Sequence, residues 1–260
     1  MNIVITHTDL DGICSGAIAK RYLKDDAKVI FSDPKHIVDT LSKIDKNANK
    51  IIITDISLNH DNVNKVVEAL KNINSEILWI DHHKWNQQDM EEISKYCRLH
   101  VEQSPSAASL FYRLYMQGDE ISEKIAQIGD DADTNTNALP NTLVYKYGIT
   151  KKCGKHYLLN VFSSGNFEPK KLEEWKEGWK ELLLKAEKIV SKLSVFTTKT
   201  KKRFAIVDLR HENMLGTFVA KLAAQRLDLD FIVVIYNCRS VSFYRGLRDV
   251  NLLQLALHHH

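Results

Sequence analysis

In the first third of the chain, apolar positions fall into short continuous runs separated by stretches of helical spacing. Ile3-Val4-Ile5, then KVIFSD, KIIITDI and EILWIDHH, are continuous and rich in β-branched residues, which predicts buried strands. Between them, IVDTLSKI and VNKVVEALKNI place apolar residues at helical intervals and predict helices. Buried strands alternating with helices predict an α/β domain, a parallel sheet with helices on both faces.

After Asp81 the pattern predicts helices. Ser104-Pro105 reads as an N-cap followed by proline in the first turn, opening SAASLFYRLYM, and SEKIAQIG predicts another helix leading into DDADTNT. A long charged helix is predicted from Pro169 to about Leu193. Its Trp175 and Trp179 share the packed face, and its Lys and Glu residues form a solvated one. Thr197 to Arg203 is polar and basic and reads as a linker. A second αβ unit follows, with RFAIVDL, FIVVIYN and SVSFYRGL as strands and GTFVAKLAAQRL and NLLQLAL as helices. The expected organisation is therefore a parallel-sheet domain over 1–168, a linker helix and linker over 169–200, and a smaller α/β domain over 201–260.

Composition narrows the function classes. No apolar run approaches the roughly 18 residues needed to span a bilayer, and the first residues feed directly into a strand. No membrane association and no signal peptide are expected, and the expected location is cytoplasmic. Cys14, Cys97, Cys153 and Cys238 form no CxxC pair, which argues against a disulfide framework and a structural zinc site. A net charge of +3 is compatible with a polyanionic substrate but does not by itself call for nucleic acid. His258, His259 and His260 read as part of an expression tag and are left out of the candidate chemistry.

That chemistry sits where the strands end. In THTDLDG, which follows the first strand, His7, Asp9 and Asp11 alternate and can project to one side, and Gly12 lets the chain turn into a helix. An EF-hand calcium loop would need a glutamate six residues beyond the glycine, where Ile18 stands. Local turn and capping chemistry is the competing reading of the stretch alone. The other strands favour a cation: Asp55 ends the third, and Asp81, His82 and His83 end the fourth. Ligands in an open parallel sheet bind outside the carboxyl ends of the strands, and crowded carboxylates there would repel without a compensating cation. The mixed carboxylate and imidazole set suits Mn²⁺, with Mg²⁺ as the alternative, and is large enough for two ions.

His7-Thr8-Asp9-Leu10-Asp11-Gly12, then Asp55, then Asp81-His82-His83 resembles the DHH phosphoesterase superfamily over most of residues 1 to 135. That superfamily includes RecJ-type single-strand exonucleases, short-oligonucleotide nucleases, cyclic-dinucleotide phosphodiesterases and family II pyrophosphatases. The resemblance implies that His7, Asp9 and Asp55 hold one Mn²⁺. Asp11, Asp55, His82 and a fourth-motif aspartate would hold a second, with Asp55 bridging. His83 would face the scissile phosphate and Asp81 would orient its neighbours. IGDDADT offers Asp130, Asp131 and Asp133 as the fourth ligand; the Ile-Gly-Asp context favours Asp130, and a solvated loop suits the other two. SFYRGLRDVNLLQLA resembles the DHHA1 substrate-binding domain often attached to this core, with Arg245 as the phosphate or terminal-nucleotide contact and Arg248 and Arg239 as weaker candidates. The family pattern continues into a glycine-rich GGGH segment that this sequence does not contain, so the DHHA1-like domain is expected to be incomplete or to handle substrate differently.

The implied activity is Mn²⁺-dependent hydrolysis of single-stranded or short oligonucleotides to mononucleotides by a two-metal mechanism. The alternatives are a phosphatase or phosphodiesterase for a small nucleotide, such as 3′-phosphoadenosine phosphate (pAp) or a cyclic dinucleotide, and a non-catalytic scaffold in a replication complex. Replication or repair proteins are the possible protein partners.

Overall fold

The computed structural model describes residues 1–24, 26–212, 214, 216–237, 240–248 and 250–252. The chain divides into two compact units, Met1–Lys176 and Glu177–His260.

The first unit holds a five-stranded sheet of β1 (Asn2–Thr6), β2 (Ala27–Phe31), β3 (Lys50–Thr54), β4 (Glu76–Asp81) and β5 (Arg98–Val101). Its order is β2-β1-β3-β4-β5, and every pairing is parallel. The helices are α1 (Leu10–Tyr22), α2 (Ile37–Lys43), α3 (Val63–Lys71), α4 (Gln87–Ile93), α5 (Ala107–Tyr115), α6 (Glu120–Asp133), α7 (Thr142–Gly148) and α8 (Gly154–Ser163). Ile3, Ile5, Ile51, Ile53, Ile77 and Trp79 face one way, into a core completed by Ile37, Val66, Leu70 and Ile93 of α2, α3 and α4. On the other face α1 packs against β1 and β3, and α5 against β4. Leu10 to Ala19 are all buried, which is why α1 has small and apolar residues all round rather than a stripe.

β5 departs from the helical expectation after Asp81. Its Arg98-Leu99-His100-Val101 is half exposed at the sheet edge, so it lacks the continuous apolar run that marks a central strand. The N-cap of α5 is Ser106, whose hydroxyl accepts from the Ser109 N–H at 3.0 Å, rather than Ser104.

α9 (Leu172–Val190) crosses from one unit to the other. Trp175 is buried in the first unit with its ring centroid 5.8 Å from that of Tyr157, and Trp179 meets Phe218 at 4.5 Å in the second.

The second unit has β6 (Val195–Thr197), β7 (Arg203–Asp208), α10 (Gly216–Leu227), β8 (Phe231–Asn237) and β9 (Ser240–Arg245). Its sheet runs β6-β7-β8-β9, with a parallel central pair and antiparallel outer pairs. Ala205, Val207, Ile232 and Val234 pack against Ala186 and Val190 of α9 and Val219 and Ala223 of α10. Thr197 to Arg203, expected as a linker, is the turn of a hairpin. Thr198 N–H donates to the Lys202 carbonyl at 2.9 Å, and its hydroxyl accepts from the Lys202 N–H at 3.0 Å. Arg239, most of NLLQLAL and the terminal histidines lie outside the described residues. Among the described residues, no helix is long and apolar enough to cross a membrane.

Candidate functional site

The strand order reverses around β1: the chain passes from β1 to β2 on one side and on to β3 on the other. A crevice opens at such a switch point, beyond the carboxyl ends of the strands. His7 and Asp9 follow β1, Asp55 follows β3, and Asp81, His82 and His83 end β4.

Local geometry aims these groups. Asp9 is the N-cap of α1 and accepts from the Gly12 N–H at 2.9 Å. A β-carbon on Gly12 would lie 2.5 Å from the His7 carbonyl oxygen, so only glycine lets α1 begin this close to the end of β1. Asp55 has a φ of 57°, a left-handed conformation that aspartate tolerates, and its N–H donates to the Ile80 carbonyl at 3.0 Å. Asp11 lies inside, where its two oxygens accept the first N–H groups of α5, from Ala107 at 2.7 Å and Ala108 at 3.0 Å. Gly129 of α6 makes room for it, since a β-carbon there would come within 3.0 Å of Asp11 Oδ1.

Among the described residues, three linked groups of ligand-type atoms result, each with its atoms within 4.8 Å of one another: His7, Asp9 and Asp55; Asp55, His82 and His83; and Asp11, His82 and Asp133. His7 Nδ1 lies 3.0 Å from Asp9 and 3.8 Å from Asp55. His82 Nε2 lies 3.6 Å from both Asp11 and Asp55 and 3.7 Å from Asp133, while its Nδ1 faces the Ser104 carbonyl at 3.2 Å. His83 Nδ1 is 2.8 Å from Asp81 Oδ1, and the second Asp81 oxygen accepts from Trp85 Nε1 at 2.6 Å.

Electrostatics follow this crowding. Burial, then the charges of Asp11, Asp9 and Asp81, push Asp55 well above the carboxylate range. Burial raises Asp11 to about 7 against the opposing hydrogen bond from Ala107. At Asp9, loss of solvation pulls upward, but the hydrogen bond and charge of His7 outweigh it and hold the group at about 2. His7 and His83 are raised by their hydrogen bonds to Asp9 and Asp81. Asp55 Oδ2 and His82 Nε2 are buried and have no hydrogen-bond partner among the described residues. Unpartnered buried ligand atoms inside a ring of carboxylates fit a divalent cation, which would satisfy them and offset the repulsion.

The fourth-motif carboxylates sort differently from the sequence expectation. Asp133 joins His82 and Asp11, whereas Asp130 accepts from Ser106 Oγ at 2.5 Å and Ser109 Oγ at 2.7 Å, fixing α6 to the start of α5. Asp131 is not in a solvated loop either. It is buried and accepts from Ala138 N, Leu139 N, Thr136 Oγ1 and Thr142 Oγ1, gathering the segment after α6. The available signal was the spacing of Asp130 and Asp133, three apart on one helix and so on neighbouring surfaces. In the second unit, Arg245 is exposed at the end of β9, and Arg248 pairs with Asp228 at 2.7 Å. Trp85, the partner that holds Asp81, carried no sequence signal.

Residues 2–130 match the family described as "DHH family, N-terminal domain". Among solved structures, exonuclease RecJ bound to manganese is similar at 11% identity and a TM-score of 0.60, over 97% of this chain and 79% of that one. RecJ from Thermus thermophilus in complex with Mn²⁺ is similar at 13% identity and a TM-score of 0.61, over 99% of this chain and 47% of its own, so this chain spans about half its length. The pGpG-specific phosphodiesterase PggH from Vibrio cholerae is similar at 12% identity and a TM-score of 0.57, over 99% of this chain and 87% of that one. No curated protein matches the sequence. At these identities the structural likeness is one of fold.

Proposed function

We propose that this chain, a member of the DHH phosphoesterase superfamily, is a metal-dependent hydrolase that cleaves single-stranded or short oligonucleotides to mononucleotides. The observation that carries the reading is the chain of three ligand groups sharing Asp55 and His82, two residues with buried, unpartnered ligand atoms. In this proposal His7, Asp9 and Asp55 hold one cation, Asp11, Asp55, His82 and Asp133 hold the second, and Mn²⁺ is preferred over Mg²⁺. Asp133 replaces Asp130 because the Asp130 oxygens are engaged by two serine hydroxyls.

When bound, such cations would acidify a water and offset charge at the phosphate. The protein groups supply position and protons. Asp81 accepts from His83 Nδ1, which leaves Nε2 directed away from that pair and able to donate to a phosphate oxygen. The same hydrogen bond favours the protonated imidazole, the form that attracts a polyanion. Trp85 keeps the second Asp81 oxygen occupied, so Asp81 positions His83 rather than joining a cation. Arg245, with its own positive charge, is proposed as the phosphate or terminal-nucleotide contact in the second unit.

The test is hydrolysis of 5′-labelled tri- and decanucleotides, RNA and DNA, with Mn²⁺, Mg²⁺ or EDTA. Release of mononucleotides with Mn²⁺ and none with EDTA is expected. Cleavage of pAp or a cyclic dinucleotide alone would reassign the substrate, and inertness toward all of them would remove the catalytic reading.

A further inference from the structure

We propose that the outer face of the second unit's sheet is a stacking platform for single-stranded nucleic acid, with the β6–β7 hairpin as its phosphate contact. The ligand class rests on the oligonucleotide reading above, and the surface lies outside the ligand groups described there.

Strand alternation gives the sheet two different faces. Ala205, Val207, Ile232 and Val234 point into the core with α9 and α10. On the opposite face Phe196 pairs with Phe204, Phe204 with Phe231, and Phe231 with Arg245, one row across all four strands. Ile206, Val233 and Phe243 form the next row. The Phe204 and Phe231 rings are stacked, 5.0 Å apart and within 3° of parallel, and Phe196 continues the series at 5.5 Å and 33°. Phe196 is 46% exposed on the outermost strand and Ile206 is 42% exposed beside it. The series thus runs from a buried ring at Phe231 to an accessible one at Phe196, and the free ring face is at that outer end.

Charge selects the occupant. Three residues beyond Phe196 the hairpin begins a basic run, Lys199, Lys201, Lys202 and Arg203. Arg203 pairs with Asp228 at 3.0 Å and Lys202 stands 3.9 Å from Asp230, but Lys199 and Lys201 are exposed at the turn. An apolar protein surface or a second copy of this chain would match the phenylalanines and leave the lysines repelling or unused. A nucleotide offers a flat base and, next to it, a phosphate. Duplexes hide the base faces, so the matching polyanion is single-stranded.

The experiment measures the Kd of the full chain, with Mn²⁺ present, for a fluorescent decanucleotide carrying a hydrolysis-resistant phosphorothioate backbone, at low and at physiological salt. Phe196→Ala should weaken binding on the order of tenfold. Lys199→Glu/Lys201→Glu, on an exposed turn that no core depends on, should weaken it and flatten its salt dependence. Unchanged affinity in both variants, or no measurable binding by the unsubstituted chain, overturns the platform. A lower sedimenting mass for Phe196→Ala with unchanged affinity would assign the face to a second copy and also overturn it. Hydrolysis of oligonucleotides with variant affinities unchanged removes the platform alone, while strand binding lost in Phe196→Ala without any hydrolysis removes the catalytic reading alone.

Discussion

Asp55 and Asp131 are both nearly sealed from solvent, at 3% and 7% exposure, and the first unit treats them in opposite ways. Asp131 accepts from two backbone N–H groups and two threonine hydroxyls, and these outweigh the cost of burial to hold its carboxyl below the usual range. Asp55 faces other carboxylates, keeps one oxygen without a donor among the described residues, and is driven upward. Burial is common to both; the supply of donors is not. A buried carboxylate surrounded by N–H and O–H groups is a structural staple, whereas one surrounded by its own kind is suited to a cation.

Exchanging the charge of each should separate these roles. Asp55→Asn should lower Mn²⁺-dependent hydrolysis by more than about a hundredfold, beyond the range for disturbing only the partner of a ligand. In EDTA its thermal midpoint should equal or exceed that of the parent, because a repelled charge has been removed; a lower midpoint would break the comparison. Asp131→Ala should do the reverse, costing about 3 kcal/mol in urea unfolding because several buried donors lose a charged acceptor. Asp133→Asn should weaken Mn²⁺ binding about tenfold by calorimetry. Asp130→Asn should change the thermal midpoint more than the cation affinity, since its partners are serines at the start of α5.

The smallest effect concerns Asp119, another satisfied carboxylate, at the opposite end of α6 from Asp133. It caps the helix through the Ser122 N–H at 2.7 Å and pairs with Arg21 at 2.7 Å. The Arg21 hydrogen bond holds its folded-state pKa below the usual value. A depressed carboxyl stabilises the fold above the unfolded pKa of about 4, and that contribution is lost as pH falls through the lower folded value. Asp119→Asn should therefore cost about 1 kcal/mol at neutral pH, and the difference should shrink toward zero below the usual aspartate range. Urea midpoints across a pH series would show it.

Legibility differed between these regions for physical reasons. β1, β3 and β4 are buried on both faces, so each reads as a continuous apolar run, and the ligand-type residues that stop each run are visible as interruptions. β5 and β6 are edge strands, four and three residues long, whose polar or exposed positions carry no such signature. The hairpin lysines read as a linker in the sequence because a turn and a linker share their composition.

The parallel sheet and the residues at its strand ends are legible without any tertiary information, because a continuous apolar run and the polar residue that terminates it are local properties. Which fourth-motif aspartate reaches His82, and which carboxylates find donors, depends on how the elements pack. α6 carries Asp130, Asp131 and Asp133 within one turn, and their surroundings come from α5, from the start of α7 and the segment before it, and from the residue that follows β4. Those neighbours lie on separate elements, so the roles of three closely spaced carboxylates depend on packing that no local pattern encodes.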